Sequence, residues 1–111
     1  MKLIKSFPED MNKRQSFAMM TSDNTKRMID LAGCVIVPDA WVLYEGVDQN
    51  GEPVEILTIS ADEELFSTIS LVFIRKFKEI VDYFGSDVGE IDVTKGTSKN
   101  GRDFVSCDVS F

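Results

Sequence analysis

The stretch VEILTISADEELFSTISLVFIRKFKEIVDYFG, residues 54–85, changes its apolar period partway along and so decides the fold. Val54 to Ile59 is rich in β-branched residues and reads as a strand. The acidic connection Asp62-Glu63-Glu64 is short and leads into another strand around Leu65 to Thr68. Ser70 then stands where a helix N-cap belongs. Phe73, Phe77, Ile80, Val81 and Phe84 recur at helical spacing, with Arg75, Lys76, Lys78, Glu79 and Asp82 on the remaining face. Gly85 is a natural C-terminal stop.

Working outward, Trp41 to Tyr44 reads as a strand that precedes Val54–Ile59, and Asp48-Gln49-Asn50-Gly51 is the turn between them, because Asn-Gly readily takes the positive φ of a hairpin turn. Cys34 to Val37 is a β-rich run just before. Downstream, apolar residues alternate in Glu90–Thr94, and Val105, Cys107, Val109 and Phe111 share one face of a last strand. Between these, Gly96 to Gly101 is a polar hairpin loop. Nearer the N-terminus, Ser6 and Glu9 have capping-box spacing, and Met11, Phe17 and Met20 predict a helix over about 8–20. A second short helix is expected between Ser22 and Gly33.

Three meandering strands, a helix and a final hairpin make up the element order of an OB-fold barrel. The expectation is therefore a mainly β, single-domain protein. Residues 33–111 would form an OB-like five-stranded barrel with a helix between strands 3 and 4, preceded by an N-terminal helical extension over 1–32. An α+β sandwich of the same elements is the alternative.

The chain has 111 residues, with 43% hydrophobic and 28% charged, the balance of an ordinary globular domain. It carries a formal charge of −7, spread unevenly. Residues 1–27 hold six basic and three acidic side chains, 28–70 hold nine acids and no base, and 71–111 hold six bases and seven acids. A binder resting on overall positive charge is excluded, and separated charged faces are expected. Histidine is absent, which removes serine–histidine and cysteine–histidine nucleophile pairs and histidine-ligated metals. Two cysteines, Cys34 and Cys107, suit reduced thiols better than a disulfide framework. With no apolar run of about 20 residues and too short an N-terminal apolar stretch for a secretion signal, a cytoplasmic protein without membrane contact is expected. The acids at Glu45, Asp48, Glu52, Glu55 and Asp62–Glu64 sit mostly at turns with no basic partner nearby, and no phosphate-cradling loop is present. No catalytic constellation emerges, so the reading is non-enzymatic and needs no cofactor or metal.

Single-stranded nucleic-acid binding needs local rather than overall positive charge, together with aromatic platforms. Lys95, Lys99 and Arg102 cluster on the final hairpin without an acid between them, and Phe104 follows. By alternation Phe104 points away from Val105, Cys107 and Val109, so it is either an exposed stacking platform or a cover over the barrel end. Trp41, Tyr44 and Phe66 complete the aromatic candidates. One of Trp41 and Tyr44 belongs to the core, and Tyr44, with its polar tip, is expected at the surface. Phe66 is open between core and surface.

The segment from Val93 through Lys95-Gly-Thr-Ser-Lys-Asn-Gly-Arg102 to Phe111 resembles the small replication single-stranded DNA-binding proteins of protein-primed and related phages of Gram-positive bacteria. Ile59 to Ser70, with its acidic turn, aromatic and serine-rich helix entry, is similar to the same family. The resemblance spans about residues 40–111 and leaves the N-terminal 32 residues outside it. It implies sequence-independent coating of displaced single strands during phage genome replication, in the cytoplasm of a bacterial host and alongside other phage replication proteins. It also implies phosphate contacts from Lys95, Lys99 and Arg102 and stacking on Tyr44, Phe66 and Phe104, with the N-terminal segment free to serve as a homo-oligomerisation arm. The competing reading is a protein-interaction or regulatory module whose acidic face meets a basic partner.

Overall fold

A computed structural model describes residues 1–110, and Phe111, expected on the inner face of the last strand, lies outside the described residues. The chain runs β1 (Lys2–Phe7), α1 (Lys13–Thr21), β2 (Lys26–Arg27), a 3-10 turn (Met28–Leu31), β3 (Val35–Ile36), β4 (Ala40–Val47), β5 (Pro53–Ala61), β6 (Glu64–Thr68), α2 (Leu71–Phe84), β7 (Ile91–Thr97) and β8 (Asp103–Val109). Strands outweigh helices, and the protein is mainly β.

The strands form two sheets. One has the order β1–β4–β5–β6–β2, the other β3–β7–β8, and they are not closed into a barrel. Every ladder is antiparallel except β2 on β6. The β4–β5 turn forms as its sequence predicts. Asp48 Oδ1 accepts hydrogen bonds from the backbone N–H of Asn50 (2.8 Å) and Glu52 (3.0 Å), and Gly51 takes φ +78°. The β5–β6 turn is tighter, with Asp62 and Glu63 both in the left-handed region.

Helix α2 starts where expected. Ser70 Oγ accepts from Phe73 N–H at 3.3 Å and donates to the Val105 carbonyl at 2.7 Å, tying the helix start to β8. Gly85 ends it at φ +63°. Phe73, Ile74, Phe77 and Ile80 form its buried face. They meet inward residues of both sheets, among them Trp41, Leu43, Leu57, Ile59, Ile91, Val93, Val105 and Cys107, in one continuous core. Trp41 and Phe77 pack edge to face with centroids 5.5 Å apart, a geometry favoured by ring quadrupoles.

The N-terminal third departs from expectation. Residues 1–32 are not a helical arm, because β1 pairs along β4 and β2 along β6, making them edges of the larger sheet. Phe7 anchors β1 by stacking on Trp41, with centroids 6.4 Å apart. The helix is shorter than expected and is capped by Asn12, whose Oδ1 accepts from Gln15 N–H at 2.8 Å, so Ser6 and Glu9 form no capping box at its start. In place of the second helix there is only the 3-10 turn. Nothing local distinguishes six residues of edge strand from a helix start, and the deciding partner, β4, lies more than 30 residues away.

Candidate nucleic-acid interface

The structure brings together some of the aromatic and basic candidates and buries the others. Alternation along β4 sends Trp41 and Leu43 inward and Val42 and Tyr44 outward, yet both faces are covered. Trp41 is 5% exposed between Phe7 and Phe77. Phe66 is likewise 5% exposed and belongs to the main core. Tyr44, expected at the surface, is only 7% exposed. It packs with Met19 of α1 and Val42, and its hydroxyl donates to the Met20 carbonyl at 3.4 Å. The reason is tertiary: α1 lies over the outward face of β4. In this conformation none of the three rings presents a face to solvent, so none of them can stack a base as it stands.

Phe104 differs. It is half-buried on the outward face of β8, opposite in parity to the buried Val105 and Cys107, and lies directly across the ladder from Gly96. A Cβ on Gly96 would sit 2.5 Å from the Phe104 ring tip, so the absence of a side chain there is what lets the ring lie against the strand. A glycine in a strand interior lets another group approach the backbone closely, and here that group is the half-buried Phe104 ring.

The hairpin beyond it is ordered by Ser98. Its N–H donates to the Arg102 carbonyl at 2.8 Å, and its Oγ accepts from Arg102 N–H at 3.3 Å. Lys99 and Arg102 are exposed and form no ion pair among the described residues. Lys95 is less free, since its Nζ lies 3.9 Å from the Asp103 carboxylate, which also accepts from Thr97 Oγ1 at 3.2 Å.

An open groove of about 660 Å³ runs between the end of β6, the start of α2 and the β7–β8 hairpin, which reaches it through Ser98 and Asp103. Its walls include Arg27, Ser67, Thr68, Leu71, Val72 and Phe104. Ile69, Leu71 and Val72 are 55%, 58% and 46% exposed, an apolar patch that no part of the described chain covers. Among the described residues Asp103 is the only carboxylate lining the groove, and none of the acids between Glu45 and Glu64 reaches it. Sequence reasoning missed Arg27, Ser67, Leu71 and Val72. Arg27 is brought in by the two-residue parallel pairing of β2 with β6, which leaves no periodic trace in a sequence.

The acids elsewhere have structural surroundings. Glu45 and Glu55 face each other across the β4–β5 ladder, an unfavourable pairing eased by Lys78 Nζ at 3.2 Å from Glu55. Glu64 pairs with Lys26 at 2.7 Å. Among the described residues no group of three or more acid or cysteine side chains is placed to hold a metal. Burial, reinforced by neighbouring Asp108, pushes the Cys107 thiol up to about 12, so it is neutral at physiological pH and inert as a nucleophile. Cys34 is exposed, and both thiols are free. No helix among the described residues is long and apolar enough to cross a membrane.

Comparison of the chain with protein-family models, curated proteins and solved structures finds no match.

Proposed function

We propose that this chain is a non-enzymatic single-stranded DNA-binding protein whose strand runs along the groove between β6 and the β7–β8 hairpin. Phe104 stacks a base, Lys99 and Arg102 hold phosphates at the hairpin, and Arg27, paired with Asp30 at 3.1 Å in this structure, exchanges that partner for a phosphate on the opposite wall. The observation that carries this reading is the coincidence of an open, acid-poor apolar groove, a seated aromatic ring and unpaired cations on the adjoining hairpin. An acidic protein can bind a polyanion this way because charges beyond about 10 Å are screened at 0.1 M salt, so the local cations decide. One base–aromatic stack contributes about 1–3 kcal/mol and each phosphate contact adds a salt-dependent increment.

The ladders support an OB-like reading of residues 33–110. Taken as one bent first strand, β3 and β4 pair onward to β7 and β5 respectively, and α2 follows the third strand of the meander. On this reading the gap between β6 and β8, where the two sheets do not join and the groove lies, is the unclosed seam. A role in coating displaced strands during phage-type replication in a bacterial host rests on the family resemblance of residues 59–70 and 93–111.

The test is anisotropy of a labelled oligo-dT titrated with protein at several salt concentrations. Micromolar or tighter binding at low salt, weakening as salt rises, is expected. No binding at the lowest workable salt overturns the reading and favours an interaction module acting through the acidic β4–β5 face.

A further inference from the structure

The core is not filled everywhere. A cavity of about 210 Å³ lies between the inner face of the larger sheet and the later turns of α2. Its floor is made by Trp41, Leu43, Leu57, Ile74 and Phe77, all of them buried. Protein interiors pack as densely as organic crystals, with few voids larger than a water molecule, so a space of this size beside five core side chains stands out. Apolar cavities of about 150 Å³ take up benzene. This one has room for an aromatic ring and a short stem.

The wall towards solvent comes from an irregularity in β1. Successive residues of a strand face opposite sides, yet Ile4 and Lys5 both line the cavity, because the ladder with β4 shifts register between Leu3 and Lys5. Bulges of this kind re-aim side chains and recur beside functional sites. Helix α2 contributes Lys78 and Asp82 to the same mouth. Lys78 is already engaged by Glu55 at 3.2 Å. Lys5 and Asp82 form no ion pair among the described residues, with each other or with any other group. Both also line an adjoining open cleft of about 620 Å³, where Glu9 and Asp10 stand. These carboxylates match a lone anion poorly, and Lys5 disfavours a lone cation. A small molecule carrying both signs close together, with an apolar body, fits all three features.

We infer that this cavity binds a free α-amino acid with an apolar side chain of about phenyl size. The side chain lies against Trp41 and Phe77, the carboxylate meets Lys5, and the ammonium meets Asp82. Burial of the side chain supplies most of the affinity, while the two exposed ion pairs select between ligands. The site is separate from the nucleic-acid groove, which uses only the first two residues of α2, whereas the cavity uses Ile74 to Asp82.

The test uses the full chain without DNA. Trp41 is the single tryptophan and lines this cavity but not the groove, so its emission, read beside calorimetry, follows this site. L-Phenylalanine is expected to give a saturable change in the millimolar range or tighter. Phenethylamine lacks the carboxylate and 3-phenylpropionate lacks the ammonium, and each should bind about two- to fivefold more weakly, the value of one exposed ion pair. Lys5→Gln should weaken phenylalanine by that factor while leaving phenethylamine no weaker, and Asp82→Asn should do the same with 3-phenylpropionate spared, because a partner already missing cannot be lost again. Both positions are exposed, so both variants should melt close to the parent. No saturable response to phenylalanine up to its solubility limit overturns the site. Either single-charge analogue binding the parent as tightly as phenylalanine does, or Lys5→Gln weakening all three ligands alike, overturns the recognition of an amino acid.

Discussion

Removing Lys99 and Arg102 together gives a sharp test of where the phosphates sit. Both side chains are exposed at the hairpin and have no ion pair among the described residues to lose, so Lys99→Ala/Arg102→Ala should melt within about a degree or two of the parent, as surface substitutions usually do. Each phosphate neutralised on a single strand contributes about 0.7 to the slope of log affinity against log salt. Losing two contacts should flatten that slope by about 1.4. Since 50 mM to 1 M spans about 1.3 decades, the same loss corresponds to about 60-fold weaker binding at 50 mM and little change near 1 M. Anisotropy of labelled oligo-dT is the appropriate assay. Intrinsic fluorescence is a poor one, because the single tryptophan, Trp41, is sealed in the core at 5% exposure. A double variant that binds more weakly with an unchanged slope would refute phosphate contact by this hairpin, and one that binds as the parent does would remove the hairpin from the site.

The groove supports two further expectations, and the buried Cys107 of the core supplies another. Phe104→Ala should lose about 1–3 kcal/mol of oligo-dT affinity, the value of one stacked base, read by the same titration; a large fall in melting temperature with affinity intact would make the ring structural instead. Asp103→Asn should tighten binding and steepen the salt slope by about 0.7, because it removes a carboxylate that lines the groove and frees Lys95, now 3.9 Å away. Cys107 carries a pH dependence. Its folded pKa of about 12 exceeds the ordinary thiol value of 9.0, so the unfolded chain ionises first and stability should fall as pH rises from about 9 towards 12, being fully retained below that window. A thiol reagent near neutral pH should accordingly titrate one cysteine, Cys34, in the native protein and two after denaturation, and fast labelling of both in the native state would contradict the burial of Cys107.

Much of the architecture was legible along the chain because its signals are local. The Asn50-Gly51 turn, the Ser70 cap, the helical spacing of Phe73, Phe77 and Ile80, and the alternation of Val105 and Cys107 each involve residues within a turn or two of one another, and each element forms where its pattern places it. The clustering of Lys95, Lys99 and Arg102 on one hairpin is local in the same sense. What lay beyond the sequence was long-range. Whether Lys2–Phe7 is strand or helix depends on β4, and Arg27 reaches the groove only through its pairing beside Ser67. Alternation reports that Trp41 and Tyr44 face opposite ways, but a strand covered on both sides hides both rings, and the cover over Tyr44 is a helix some 25 residues earlier in the chain. Periodicity encodes which side of a strand a residue occupies. Only packing decides whether that side meets water, and with it which rings are free to bind.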